Sequence, residues 1–238
     1  MSFFTDTLKE IFHKNNLDAF ADKSEQLEDL FNELTETNKI FNLTSVTDPE
    51  GVCLLHFCDS LTLCKYLTEA ENLLDIGCGA GFPSLPVALA MPELTVTGLD
   101  STGKKTDFAN AFAKKYGVSN FNAVNGRAEE LAKGKLRGTF NAVTARAVSK
   151  LSLLAEIALP FLKEGGILLS MKGPTGSKEA EEAADAINIC GGRTENIVNL
   201  TLRTEKTEVK RSIIIVRKER PTPEIYPRSY PKMLKNPL

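Results

Sequence analysis

The stretch Leu73-Leu74-Asp75-Ile76-Gly77-Cys78-Gly79-Ala80-Gly81-Phe82-Pro83 decides the fold. The short, mostly apolar run over 73–76 reads as a strand. Three glycines at alternate positions follow it, and Pro83 to Met91 reads as a helix. Glycine lets a chain turn sharply and lets a ligand approach the backbone. The spacing is G-x-G-x-G, not the G-x-G-x-x-G of dinucleotide-binding loops, where a helix N-terminus is held open for a pyrophosphate. S-adenosylmethionine carries no phosphate, so a tighter loop can press on its adenosine and amino-acid ends.

Downstream, strand and helix alternate. Strands are predicted over 94–99, 121–124, 140–144 and 166–171, helices over 104–116, 151–162 and 178–189. Two closing strands, near 196–202 and 212–217, read as a hairpin. Such alternation predicts an α/β fold, an open and mostly parallel sheet with helices on both faces; taken with the glycine loop, the expected architecture is the Rossmann-like seven-stranded sheet of the class I S-adenosylmethionine-dependent methyltransferases, with a C-terminal antiparallel hairpin. Upstream, Phe4, Leu8, Ile11 and Phe12 recur at helical spacing. Asp22 with Glu25 suggests a capping box before Leu27, Leu30, Phe31 and Leu34, and Asp48-Pro49 suggests the start of a third helix. The expected organisation is a helical N-terminal extension (1–70), a cofactor-binding domain (71–220) and a basic, Pro-rich, irregular tail (221–238).

Ligands in open α/β sheets bind at the carboxyl ends of the strands. Gly77, Gly79 and Gly81 leave the first strand there, and Asp100 ends the second, where a carboxylate accepts from both ribose hydroxyls. Gly126-Arg127-Ala128-Glu129 follows the third, beside the place for an adenine edge. The fourth ends in Thr144-Ala145-Arg146-Ala147. That segment lacks both an Asp/Asn-Pro-Pro-aromatic motif and a nucleophilic cysteine, so it suits an acceptor that is already nucleophilic. Guanine N7 fits, because its lone pair needs no deprotonation; catalysis is then alignment.

The 238 residues are 42% hydrophobic and 25% charged, ordinary for a globular chain and unlike a disordered one. The net charge of −2 conceals a division. Residues 1–100 hold 5 Lys and Arg against 17 Asp and Glu; residues 101–238 hold 24 against 14. A basic half of this kind suits a polyanion. No run reaches the ~20 apolar residues of a membrane span. Five cysteines without framework spacing, two histidines and no signal-peptide pattern suggest reduced thiols, no metal site and a cytoplasmic location.

These residues resemble the RsmG (GidB) family of bacterial 16S rRNA guanine-N7 methyltransferases. The likeness runs from Asn42-Leu43-Thr44-Ser45 and His56-Phe57-Cys58-Asp59-Ser60 through the glycine loop with Phe82-Pro83 and Leu99-Asp100-Ser101. It continues at Arg127-Ala128-Glu129-Glu130, Ala145-Arg146-Ala147, Lys172-Gly173 and Lys235-Asn236-Pro237-Leu238. The resemblance implies methylation of a guanine in the 530 loop of 16S rRNA, with S-adenosylmethionine as methyl donor. It implies cofactor contacts at Gly77, Gly79, Phe82, Asp100, Ala128, Glu129 and Arg146, and rRNA or a small-subunit particle as partner of a monomer. His56, Arg146, Lys172 and Arg211 are then expected to converge on the transferred methyl. The tail departs from the family pattern: Pro231 and Met233 stand where Gly and Pro are usual. A small-molecule methyltransferase or aminopropyl transferase is the alternative, disfavoured by the basic half.

Overall fold

The computed structural model describes residues 2–238. Its centre is a seven-stranded sheet in the order β3-β2-β1-β4-β5-β7-β6. The strands are β1 (Asn72–Ile76), β2 (Thr95–Asp100), β3 (Phe121–Asn125), β4 (Phe140–Arg146), β5 (Leu162–Lys172), β6 (Gly192–Arg203) and β7 (Glu208–Lys218). The first five are parallel; β7 runs antiparallel to β5 and pairs with β6 as a hairpin. The expected sheet is therefore present, and the strand order runs outward from β1 to β2 and β3 on one side and from β4 to β5 on the other, which opens a crevice at the carboxyl ends of β1 and β4.

Side chains on a strand alternate between faces, and the two cores follow that period. Leu73, Val96, Ala142, Leu169, Ile213 and Ile215 face one core. Leu74, Leu99, Val143, Leu168, Ile214 and Val216 face the other. The first core is covered by helices Phe3–Lys14, Ser24–Asn38, Ser84–Ala90 and Gly103–Lys115 and by a continuous helix over 49–61. The second is covered by Leu151–Ala158, Gly176–Glu182 and Ala184–Ile189, with Met233 of the tail fully buried in it.

Asp48 caps the 49–61 helix, its Oδ1 accepting from the Gly51 amide at 2.7 Å with Pro49 in the first turn. The middle of this helix, Val52–Cys58, is a π-helix. From Val52 to Leu61 every residue but Leu55 is buried, including the polar His56, Asp59 and Ser60. The π segment places these groups together at the sheet's carboxyl rim, and π turns often mark functional positions.

Three local expectations are corrected. Helix Ser24–Asn38 has no side-chain cap, because a 3₁₀ helix at Asp18–Lys23 runs straight into it. The helix expected over 178–189 is two helices meeting at Ala183; Ala180, Ala183, Ala186 and Ile187 are all buried, and the bend holds both halves against the sheet. The tail is ordered: Arg137 donates to the carbonyls of Thr222, Pro223 and Tyr226 at 2.7–3.2 Å, and a helix forms at Tyr230–Lys235.

Candidate active site

Two clefts open side by side at the carboxyl rim. The first, about 150 Å³, is bounded by Ile76 and Gly77 at the end of β1, Leu99 to Ser101 at the end of β2 and Gly126 to Glu129 after β3. Val148, Ile157 and Tyr230 complete it. Gly77, Gly79 and Gly81 all have positive φ (73°, 57° and 93°), a region costly for residues with a Cβ. The loop folds back on β2: the Gly77 and Cys78 amides donate to the Leu99 carbonyl at 2.7 and 3.1 Å. Asp100 accepts from the Gly79 amide at 2.9 Å and the Thr102 amide at 2.8 Å, so its carboxylate is fixed at the cleft edge.

Asp75 lies fully buried under the loop. Its Oδ2 accepts from the Ser84 amide at 3.2 Å, and its Oδ1 has no donor among the described residues. Burial pushes its carboxyl up to about 7.

The second cleft, about 440 Å³, is lined by His56, Asp59, Arg146, Lys172 and Arg211, with Val46, Leu55 and Met171 as apolar wall. The sheet explains the convergence. Arg146 ends β4 and pairs in register with Met171; Lys172 ends β5 opposite Ser212, which puts Arg211 on the same rim. Asp59 is buried and shared by two guanidiniums: Arg146 Nη1 and Arg211 Nε both lie 3.3 Å from it. Arg146 also donates to the Leu55 carbonyl at 2.6 Å and approaches His56 Nδ1 at 3.4 Å.

A guanidinium offers only donors, so His56 Nδ1 accepts and its proton sits on Nε2. That nitrogen then donates to Thr44 Oγ1 at 2.9 Å. Burial and the neighbouring Arg146 lower the imidazole to about 4, so His56 is neutral at physiological pH. Its ring stacks on Phe82 at 4.5 Å between centroids, and the Arg146 guanidinium lies 6.0 Å from the same ring. Lys172 is turned to the cleft wall: its ammonium donates to the Ser149 carbonyl at 2.6 Å and to Glu179 at 2.7 Å.

The site residues expected from sequence thus divide. Gly77, Asp100, Ala128 and Glu129 line the first cleft; His56, Arg146, Lys172 and Arg211 line the second. Phe82 stands behind His56, Gly79 holds Asp100, and Gly81 packs over Leu85 within the loop. Sequence reasoning missed the roles of Thr44 and Asp59, although both fall in quoted motifs, and it missed Glu179, Val148 and Tyr230. A helical wheel over 54–67 sets His56 and Ser60 on one face, but ideal helical spacing does not anticipate the π segment. Among the described residues no group of His, Cys, Asp and Glu could hold a metal ion, and no helix is long and apolar enough to cross a membrane.

Sheet order, reversed last strand and a glycine loop at the crevice define the class I S-adenosylmethionine-dependent methyltransferase fold. Solved structures agree at the level of fold. An O-methyltransferase from Bacillus cereus in complex with SAH superposes with a TM-score of 0.55 at 14% identity, covering 79% of this chain and 91% of that one. P. horikoshii TYW2 in complex with MeSAdo gives 0.55 at 16%, covering 69% and 63%. Sequence comparison goes further. The family model described as rRNA small subunit methyltransferase G matches residues 23–210. Ribosomal RNA small subunit methyltransferase G of Exiguobacterium sibiricum is 40% identical over 228 residues, covering 94% of this chain and 95% of its own. That of Desulforamulus reducens is 38% identical over 241 residues, end to end on both. The chain belongs to the rRNA small subunit methyltransferase G family.

Proposed function

We propose that this protein methylates N7 of a guanine in the 530 loop of 16S rRNA, with S-adenosylmethionine as methyl donor. The observation that carries the reading is the pairing of the clefts. Arg146 and Ala147 line one and the next residue, Val148, lines the other, so donor and acceptor would meet at the end of β4.

The first cleft suits the donor. At Gly79 a Cβ would meet nothing within 4 Å, which leaves bare backbone for close approach. Asp100 offers a fixed carboxylate for ribose hydroxyls. The unpartnered Asp75 Oδ1 under the loop is an acceptor suited to the cationic amino-acid end. The bound cofactor supplies an electrophilic methyl on a sulfonium.

The second cleft suits an acceptor that gives up no proton. His56 Nδ1 faces Arg146, and its basicity is low. Asp59 is taken by two arginines, and all five cysteines are buried with thiols raised by desolvation. The residues therefore position rather than deprotonate. Guanidinium donors suit O6 of guanine, which leaves the adjacent N7 lone pair free to attack the methyl. As the N7–methyl bond forms and the sulfur–methyl bond breaks, the positive charge passes to the purine. Asp59 offsets one of the two guanidinium charges beside the acceptor.

The test is methyl transfer from radiolabelled S-adenosylmethionine to small-subunit particles from a strain lacking the family enzyme, followed by mapping of the label. A single labelled site in the 530 loop is expected; label elsewhere, or none on particles and naked 16S rRNA alike, contradicts the proposal.

A further inference from the structure

Of the residues that bound the first cleft, one comes from the C-terminal tail. Tyr230 opens the last helix of the chain, more than a hundred residues beyond the loop after β3, yet it lines the same cleft as Gly77, Asp100 and Ala128. It is the only aromatic side chain among the described lining residues. Its ring is partly buried against the second core.

The tail is held there by specific bonds. Glu156, almost completely buried on helix Leu151–Ala158, accepts from the Arg228 side chain at 2.6 and 2.8 Å and from the Arg228 amide at 2.8 Å. The next residue of that helix, Ile157, lines the cleft. Two positions before Tyr230 the chain is thus fixed to an element of the cleft wall, and three positions after it Met233 is fully buried. Arg137 clamps the preceding carbonyls. Tyr230 is therefore held at the cleft by anchors on both sides.

We propose that Tyr230 is a cofactor-binding residue whose ring packs on the adenine of the methyl donor, making the C-terminal tail part of the cofactor site. The proposal rests on the reading of the first cleft as a nucleoside pocket. An adenine presents a flat π-face, and an aromatic platform is its usual partner; the remaining lining there is aliphatic, glycine, serine or charged. The tail also closes the side of the cleft that the glycine loop and Asp100 leave open. Met233, which departs from the family pattern, is accounted for here: it is a buried anchor of this segment.

Calorimetry with S-adenosylhomocysteine and with adenosine on the full chain tests the assignment. Tyr230→Ala should weaken both by about tenfold, because both carry the base, while Tyr230→Phe stays within about twofold of the parent. Ligand-free thermal midpoints of the two variants separate a binding effect from loss of fold. The chain has no tryptophan, so Tyr230→Trp gives a unique fluorophore. Adenosine should quench its emission with the dissociation constant found by calorimetry. If the parent binds both ligands while Tyr230→Ala binds them equally well and the Tyr230→Trp emission does not respond, the tail assignment is overturned and the pocket stands. If the parent binds neither, the nucleoside reading falls and the tail assignment with it.

Discussion

Asp75 shows how one residue can set function against stability. Its carboxyl ionises near 3.8 when unperturbed and near 7 in the fold. Between those values the native state keeps a proton that the unfolded chain has released, so stability falls as pH rises through this window and stays lower above it. Asp75→Asn removes the titration. It should stabilise the ligand-free protein by about 2–4 kcal/mol at pH 8 and much less at pH 4, measured by urea unfolding, while weakening S-adenosylmethionine binding. A gain that does not change with pH would rule out the buried carboxylate as its cause. Asp59 contributes through its two ion pairs. Its single carboxylate is shared by Arg146 and Arg211, so Asp59→Ala leaves two half-buried guanidiniums without their anion. A loss of about 2–3 kcal/mol in the same titration is expected, with methyl transfer abolished. Asp75 stands in the stretch that decides the fold, but sequence reasoning gave it no role, because nothing local shows that one of its oxygens is left without a donor. Asp59 could not be given its role, since both its partners lie more than eighty residues away.

Among the elements, strands were the most legible. Leu73, Leu74 and Ile76 announce β1, and the hairpin of β6 and β7 follows from its two β-branched runs. Helix ends were less so, because Ala183 interrupts a continuous helical pattern without Gly or Pro to mark it. The tail was legible only in composition: its order comes from Glu156 and Arg137, which no local pattern connects to it. The segment 147–150 between the clefts is held in a comparable way. Glu179 receives both the Leu151 amide at 2.6 Å and Lys172, and Lys172 holds the Ser149 carbonyl. Glu179→Ala should release this segment. Hydrogen–deuterium exchange should then rise at the amides of 148–151 and remain unchanged in β1 and β4. Unchanged exchange at 148–151 would mean that the ion pair does not order the loop.

For the whole molecule, the acid–base division along the chain becomes partly internal. Arg146 and Arg211 share Asp59 of the acidic half, while Lys172 pairs with Glu179 and Arg228 with Glu156 inside the basic half, so these four cations are taken up within the fold. What remains on the rim includes the exposed Lys104, whose ammonium lies 4.5 Å over the Phe41 ring, and its neighbour Lys105. These lysines follow β2 and stand on the same rim as the glycine loop. If they meet RNA phosphates, binding weakens as salt rises, and replacing both with alanine should lower the slope of log K against log salt by about 1 to 2. A slope unchanged in the double variant would place the RNA on another face.

The central claim is that the cleft beside Arg146 serves an acceptor that loses no proton. Nucleoside mass spectrometry tests it most directly, on 16S rRNA methylated by the purified protein with S-adenosylmethionine carrying a deuterated methyl. One deuterated 7-methylguanosine per rRNA is predicted. The label on an exocyclic amine, a ribose hydroxyl or a pyrimidine carbon would require a base or nucleophile that the cleft does not contain, and would contradict it.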